Sequence, residues 1–403
     1  MRQGALSRIL VALCVTEIVS YGALYYAFAV LAPTIAKDTS WSTLAVTAAF
    51  SVGSLAGAVC GIPVGRMLQR HGPRPVMAIG SIIGAGAVGL VAVATDLPTF
   101  FLAWLLVGIA TSGLYYAPAF AALTGWFGPR RVAAITTLTL AAGFASTIFA
   151  PFTNLLDAQL GWRGAYLVLA GIVLVVTLPA HAFALREPWP RQERVAVGHD
   201  REILTSRPFV LLTAAGTLTS LVSYASLVAL PLLLIGRGTS PALAAWAVGL
   251  SGAGQVLGRL IYPRLNRTTS PRTRTAAVIA LLAAGVGIQS LVTGPVWLLF
   301  LIAIVTGAAR GLFTLVNATF VADLWGPERY ASVSGVYNAP VSAAGALAPG
   351  IGAAVAATMG GYPALFAVLC AVAVAAALIA AAARAPRISA SGAGVNTELV
   401  RET

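Results

Sequence analysis

"VWLLFLIAIVTGAARGLFTLVNATFVADLW", residues 296–325, runs for thirty residues with only two charges, Arg310 and Asp323. A membrane-crossing helix needs roughly 20 apolar residues, so the stretch is long enough to span a bilayer. Arg310 lies about 21 Å beyond Val296 at ~1.5 Å per residue, near the middle of such a span. Lipid solvates a guanidinium poorly, so an arginine at that depth has to face a partner or a water-filled cavity.

The rest of the chain is equally apolar. Of 403 residues, 59% are hydrophobic and 9% charged, too little polarity to cover a soluble protein of this size. Twelve apolar segments fall at about 7–35, 43–65, 75–95, 98–126, 132–156, 164–185, 209–235, 241–263, 275–294, 296–323, 331–358 and 362–384. The expected fold class is therefore an all-α polytopic membrane protein with twelve transmembrane helices.

The net charge of +13 follows the topology. Apart from Arg259 and Arg310, which lie inside spans, only Lys37, Arg163 and Arg237 sit on one side. All other basic residues, among them Arg8, Arg66, Arg70, Arg74, Arg130 and Arg131, share the side of the N-terminus. By the positive-inside rule both termini are cytoplasmic, and the expected partner of this charge is the bilayer, with no nucleic acid. Cys14, Cys60 and Cys370 lie within spans and imply neither disulfides nor a metal site. The basic N-terminus precedes an apolar run too long for a signal peptide, so it reads as the first helix. One lysine against twenty-four arginines, with abundant Ala and Gly, points to a bacterial source and thus to the cell inner membrane.

The largest polar interruption, "REPWPRQERVAVGHDREILTSRP" at 186–208, divides the spans six and six. The expected organisation is an N-terminal six-helix half at 1–185, a cytoplasmic linker at 186–208, a C-terminal half at 209–384 and a cytoplasmic tail at 385–403. A shift of 198 residues places Gly113-Leu114 on Gly311-Leu312, Gly128-Pro129 on Gly326-Pro327, Arg131 on Arg329 and Ala150-Pro151 on Ala348-Pro349. The same shift carries Tyr26 and Pro33 onto Tyr224 and Pro231. One ungapped offset serving several spans indicates duplication. Two parallel six-helix pseudo-repeats are an architecture of secondary transporters, whose substrate site lies near the midplane between the repeats.

Two further stretches carry a resemblance. "GRMLQRHGPRP" (65–75) is similar to the loop signature of the major facilitator superfamily between spans 2 and 3, with Gln69 where that signature has Asp. "WFGPRRVAAITTLTLAAGFASTIFAPFTNLLDAQLGWRGAYLVLAG" (126–171) resembles the span 4 to 6 region of monocarboxylate transporters and oxalate/formate antiporters. The shared features are the aromatic pair before a double arginine, the Ala-Pro of span 5 and Gly161-Trp162-Arg163-Gly164. The resemblance implies the major facilitator fold. In the monocarboxylate group it further implies a span 8 with an arginine that holds the anion and, one turn earlier, an aspartate that takes part in proton coupling. Arg259 matches the arginine, but Gln255 stands at the aspartate, and Tyr26 replaces a lysine expected late in span 1.

The residues themselves propose a site. Thr314 and Asn317 follow Arg310 at i+4 and i+7, so one face of the tenth span is polar. Ser251, Gln255 and Arg259 form a similar face in the eighth. A guanidinium offers a fork of donors suited to a carboxylate; the plainer alternatives are an ion pair of Arg310 with Glu17, and an Arg259 that snorkels to the headgroups. Glu17 is the one acid deep in any span, and a carboxyl group in a low-dielectric setting can exchange its proton near neutral pH. It is the expected proton-coupling residue, with Tyr21 and Tyr25 on its face. Tyr26, Tyr115, Tyr116 and Tyr224 are expected to line the substrate site with Arg310, Arg259, Asn317 and Gln255; Phe313, Tyr337 and Asn338 read more readily as packing. Asp323 is a candidate gate partner for loop arginines such as Arg70 or Arg264, the plainer alternative being simple solvation at the boundary. His181 is expected at the membrane interface.

Nothing resembles a phosphate loop, a nucleophile elbow or a metal cluster, so neither enzymatic activity nor a cofactor is expected. Two cavity cations against one acid favour an anionic substrate. The expected function is alternating-access movement of a small organic anion, a monocarboxylate, by a proton-coupled monomeric transporter. The alternative is proton-driven efflux of a lipophilic drug or antibiotic, in which Arg310 tunes Glu17.

Overall fold

The computed structural model describes residues 3–190 and 197–383, helical throughout. The expected tail at 385–403 and residues 191–196 of the expected linker lie outside the described residues. Twelve long rods account for the twelve apolar segments. They are α1 (3–39), α2 (Thr43–His71), α3 (Pro73–Val93), α4 (97–127), α5 (131–160), α6 (162–184), α7 (Arg207–Gly236), α8 (Pro241–Thr268), α9 (Pro271–Leu291), α10 (Val296–Trp325), α11 (Tyr330–Thr358) and α12 (Tyr362–Ala382). A short helix, Val197–Thr205, precedes α7.

Length and hydropathy alone pick out nine spans among the described residues. The shortfall has a physical cause. Residues 97–184 form one apolar run of 88 residues, which as a single helix would be about 132 Å long, several times a ~30 Å hydrocarbon layer. The backbone turns twice instead, at Gly128 (φ +50°) and Gly161 (φ +67°), conformations that glycine adopts without a Cβ clash. The remaining rod, α8, carries Arg259, Arg264 and Arg267 and is too polar to qualify.

Starts of helices are written in short polar residues. Ser42, Asp96, Ser206, Ser240 and Ser270 each accept a hydrogen bond from the N–H three residues on, which satisfies one orphan donor of the first turn. The 198-residue offset reappears in three dimensions to within one residue. Arg74 at the start of α3 donates to the Ala182 carbonyl at the end of α6 (3.0 Å), and Arg272 at the start of α9 donates to the Ala381 carbonyl at the end of α12 (2.6 Å).

The apolar cores show how the helices group. One buried cluster holds residues of α1 to α6 alone, among them Leu31, Phe100, Trp104 and Tyr166. A second draws only on α7 to α12, including Leu233, Val286 and Phe366. A third mixes both sets, joining Leu13, Phe120 and Ile135 to Leu315, Phe320 and Tyr330. The shared core lies toward the face on which α1 begins, called the basic face below. Toward the opposite, distal face the two sets keep separate cores, so a cleft opens between them there.

Small residues close the basic side. Gly61 and Gly65 of α2 meet Ala331 and Gly335 of α11 so closely that a Cβ built on Gly335 would lie 2.7 Å from the Gly61 carbonyl oxygen. Such backbone approach is the usual role of small residues between membrane helices. The linker segment is clasped to the same face: Trp189 donates to the Gln69 carbonyl (3.3 Å), and Trp126 donates to the Pro188 carbonyl (3.1 Å). Gln69, standing at the aspartate of the loop signature, thus contributes a main-chain acceptor.

Candidate functional site

Arg310 is placed by the way α8 packs on α10. Gly254 and Gly258 of α8 and Gly307 and Gly311 of α10 form two small-xxx-small pairs that lie against each other. A Cβ on Gly258 would fall 2.9 Å from the Ala308 carbonyl carbon, and one on Gly307 2.8 Å from that of Ser251. With the backbones in contact, Ser251 lies under the guanidinium. Arg310, 6% exposed, donates through one Nη to the Ser251 hydroxyl and through the other to the Ser223 carbonyl of α7 at 3.4 Å. Its Nε has no hydrogen-bond partner among the described residues.

Arg259 is as buried, at 8% exposed, and so does not snorkel to a headgroup layer. Its Nη1 crosses the cleft floor to the Thr139 carbonyl of α5 at 2.8 Å. That carbonyl is reachable because α5 loosens at Gly143, one turn on, where a turn interrupts the helix. The Arg259 Nε also lacks a partner among the described residues. Gln255, one turn earlier on α8, is half-buried, and its backbone packs on Gly311.

Glu17 pairs with neither arginine: both carboxyl oxygens are buried without a hydrogen-bond partner among the described residues. The ion pair considered from sequence is therefore not formed in this conformation. Glu17 lies instead within Coulomb range of Tyr21, Tyr115 and Tyr116. Tyr21 stacks on Tyr115 at 4.1 Å and 12°, and leans on Tyr116 at 4.9 Å. Tyr21 was legible as a member of the Glu17 face but not as the ring that joins α1 to α4.

The next turn of α1 is a π turn, Gly22–Tyr26. One such turn inserts an extra residue into the helical register, a device frequent at functional sites. Gly22 gives Phe149 of α5 room to lie directly against the turn. Tyr25 packs edge-on to Tyr26 and Phe50, and both Tyr25 and Tyr26 are within Coulomb range of Tyr224 on α7. Tyr224 in turn senses Arg259 and Arg310. The structure thus brings together Arg310, Arg259, Glu17, Tyr26, Tyr115, Tyr116 and Tyr224.

Asn317 goes elsewhere. It donates to the Asn338 side chain of α11 at 3.3 Å, and Asn338 donates to the Ser334 carbonyl, a contact between two helices of the second set. Thr314 spends its hydroxyl on the Arg310 carbonyl. Tyr337 is buried against Phe320 and Gly216.

One expected pairing is corrected. Asp323 is bound neither to Arg70 nor to Arg264, which are exposed at the ends of α2 and α8. It accepts from Arg131 of α5 at 2.6 Å and from Arg274 of α9 at 2.7 Å, because both of those helix starts point their first-turn side chains at the end of α10. His181, near the end of α6, is fully buried within the protein, its Nδ1 2.9 Å from the Ser81 hydroxyl, which also takes a bond from Thr177. It lies within the π turn Ala180–Ala184, against α3. A hollow of about 190 Å³ lined by Gln3, Leu10, Phe127 and Arg130 lies on the basic face, away from these charges.

Both hydrogen bonds described between the two sets of helices, Arg131 to Asp323 and Arg259 to Thr139, lie on the basic side or at the cleft floor. On the distal side Tyr25 and Tyr224 are 40% and 48% exposed although protein surrounds them. The arrangement is a charged, tyrosine-lined cleft, closed toward the basic face and open toward the distal one.

Known proteins match this chain in sequence and shape. The model of the Major Facilitator Superfamily matches residues 13–287 and 212–399. Monocarboxylate transporter 13 of Rattus norvegicus is 28% identical over 301 residues, 70% of this chain and 69% of that protein. Human monocarboxylate transporter 11 is 32% identical over 238 residues, 56% of this chain and 48% of that protein. Among solved structures, the E. coli fucose:proton symporter superposes with a TM-score of 0.73 at 13% identity, covering 93% and 98% of the two chains. The human organic anion transporter does so at 0.72 and 16% identity, covering 93% and 99%.

Proposed function

The chain belongs to the Major Facilitator Superfamily, and we propose that it carries a small organic anion, a monocarboxylate, together with a proton across the cytoplasmic membrane of a bacterial cell. The observation that carries this reading is the pair of buried guanidiniums at the cleft floor, each with an Nε that no group among the described residues satisfies. An uncompensated buried charge is expensive, and a carboxylate entering the cleft would supply both the missing acceptor and the opposite charge. The names of the relatives, monocarboxylate transporters, support the same substrate class.

Glu17 is the proton carrier in this scheme. A carboxylate with no partner in an apolar interior is costly, and taking up a proton removes the charge. Loaded, the protein holds the acid's anion on Arg310 and Arg259 and the proton on Glu17. Empty, it can satisfy the ionised Glu17 only by turning it toward an arginine. Rocking of the α1–α6 half against the α7–α12 half, with Asp323 and Arg131 as the gate on the cytoplasmic side, would alternate access to the site.

Purified protein in proteoliposomes loaded with a pH-sensitive dye tests the reading, with lactate, pyruvate, formate and oxalate added in turn beside an Arg310→Ala control. Lumenal acidification by one of these acids, beyond the leak of empty vesicles and absent from the variant, is the expected result. No Arg310-dependent response to any carboxylate, in protein that moves protons when a lipophilic drug is added, would replace the anion by a drug substrate.

A further inference from the structure

The cleft holds more aromatic surface than a two- or three-carbon acid can use. Six tyrosines converge on it from three helices: Tyr21, Tyr25 and Tyr26 of α1, Tyr115 and Tyr116 of α4, and Tyr224 of α7. Four are committed to one another or to a neighbour. Tyr21 and Tyr115 cover each other's faces, Tyr116 stacks on Phe120 at 4.9 Å and 6°, and Tyr26 meets Tyr25 edge to face.

Tyr224 differs from these. One side of its ring is backed by Gly345 of α11, where even a Cβ would stand 3.0 Å from two ring carbons. Another part of the ring is uncovered: the residue is 48% exposed, has no ring partner among the described residues and is enclosed by protein. An aromatic ring held along one edge and uncovered elsewhere is a stacking platform, since aromatic pairs favour offset or edge contact at 4.5–7 Å. Across the cleft Tyr25, 40% exposed, is held by Tyr26 and Phe50.

The platform is also registered on the charge. Tyr224 follows Ser223, whose carbonyl accepts from Arg310, so ring and guanidinium are fixed relative to each other through one peptide unit. We infer that the preferred substrate is an aryl carboxylate, an acid whose anion sits on Arg310 while a planar ring attached through a short link lies on Tyr224 and against Tyr25. This rests on the anion reading above and narrows it: Arg310 would select for the charge, and the tyrosines for a flat ring over an aliphatic chain.

The test uses calorimetric binding to the full-length detergent-purified protein. The ligands are phenylacetate and cinnamate, cyclohexaneacetate as the saturated ring of similar size, and lactate and pyruvate. Phenylacetate is expected to bind at least about tenfold tighter than cyclohexaneacetate, since only the flat ring can stack. Tyr224→Leu should cut that ratio about tenfold while Tyr224→Phe keeps it. Tyr25→Leu should act in the same direction, and melting curves of all variants report folding. Equal affinity for the flat and saturated rings, with lactate or pyruvate bound in an Arg310-dependent way, would overturn the aryl inference and leave the anion reading standing. No acid of either kind bound in an Arg310-dependent way would overturn both.

Discussion

Arg131 is the residue whose removal most directly tests the described conformation. Its bond to Asp323 joins α5 to α10 across the closed basic side, whereas the Arg274 bond to the same carboxylate stays within the α7–α12 group. Arg131→Gln therefore deletes one charge-assisted bond of the closed state without orphaning Asp323, which keeps Arg274 at 2.7 Å. A hydrogen bond to a charged group contributes about 1.5–3 kcal/mol. At about 1.4 kcal/mol per tenfold, the ratio of distal-open to basic-open molecules should fall roughly 10- to 100-fold. The Arg131 side chain is 20% exposed, and solvent screening puts the effect toward the lower end. Cysteine labelling reads it in a background lacking Cys14, Cys60 and Cys370. Tyr224→Cys reports the distal cleft, and Ser334→Cys, buried now at 3% exposed, reports opening of the basic side. The Ser334→Cys rate should rise by about the predicted factor in Arg131→Gln, even if the distal-open state is so dominant that labelling at position 224 hardly changes. A rate at position 334 unchanged to within about twofold would refute the view that this ion pair holds the basic side shut.

Four further outcomes follow from the geometry. Arg310→Lys keeps the charge but loses the fork that reaches Ser223 and Ser251, so anion affinity measured by calorimetry should fall about tenfold, and further in Arg310→Ala. Glu17→Gln should abolish uptake driven by a pH gradient while preserving counterflow exchange of labelled substrate; uptake that still follows the gradient would remove Glu17 from the coupling. Gly311→Ala places a Cβ 2.8 Å from the Gln255 carbonyl carbon; prying α8 from α10 should cost about 1–3 kcal/mol, seen as a lower melting temperature together with weaker anion binding as Ser251 withdraws. On the distal face, beyond the membrane-spanning part of α1, hydrogen bonds from Trp162 and Arg163 hold the Asp38 carboxyl below the usual carboxylate range. Its contribution is present above that range and lost as pH falls through the lowered value, so the acid limb of a melting-temperature profile should be shallower in Asp38→Asn.

The fold was legible because membrane helices are long and apolar, and because a 198-residue offset survives in residues that do backbone work, such as the paired glycines at 128 and 326. Arg310, Arg259 and Glu17 stood out because a charge in hydrocarbon is rare enough to need a reason. What stayed hidden depends on rotation about helix axes. Periodicity gives the face on which Asp323 lies but not which loop arginine the end of α10 meets, so Arg131 and Arg274 were not singled out. Hydropathy places His181 near the end of α6 but does not show that its ring faces Ser81 of α3. The glycine pairs at 254 and 258 and at 307 and 311 were visible as small residues. That they face each other, and so set Ser251 beneath Arg310, is a property of two helices together.

Arg259 ties the site to the gate. In the closed-basic state it spends an Nη on the Thr139 carbonyl, a group of the opposite half that sits where α5 is already loosened at Gly143. A carboxylate is a stronger acceptor than a carbonyl for the same guanidinium, so an anion bound between Arg310 and Arg259 competes for that donor. On the proposed mechanism, substrate binding therefore weakens one of the two described bonds between the halves, and leaves Arg131 to Asp323 as the remaining polar tie. An empty protein has no such competitor, keeps both bonds and resists opening toward the basic face unless Glu17 is ionised and draws an arginine to itself. The same two guanidiniums would thus tie anion to proton by charge: an anion with a protonated Glu17, and a bare carboxylate on Glu17 with no anion, both leave the cleft floor at the same net charge, one guanidinium in excess, whereas the half-loaded forms leave it either neutral or with both guanidiniums uncompensated.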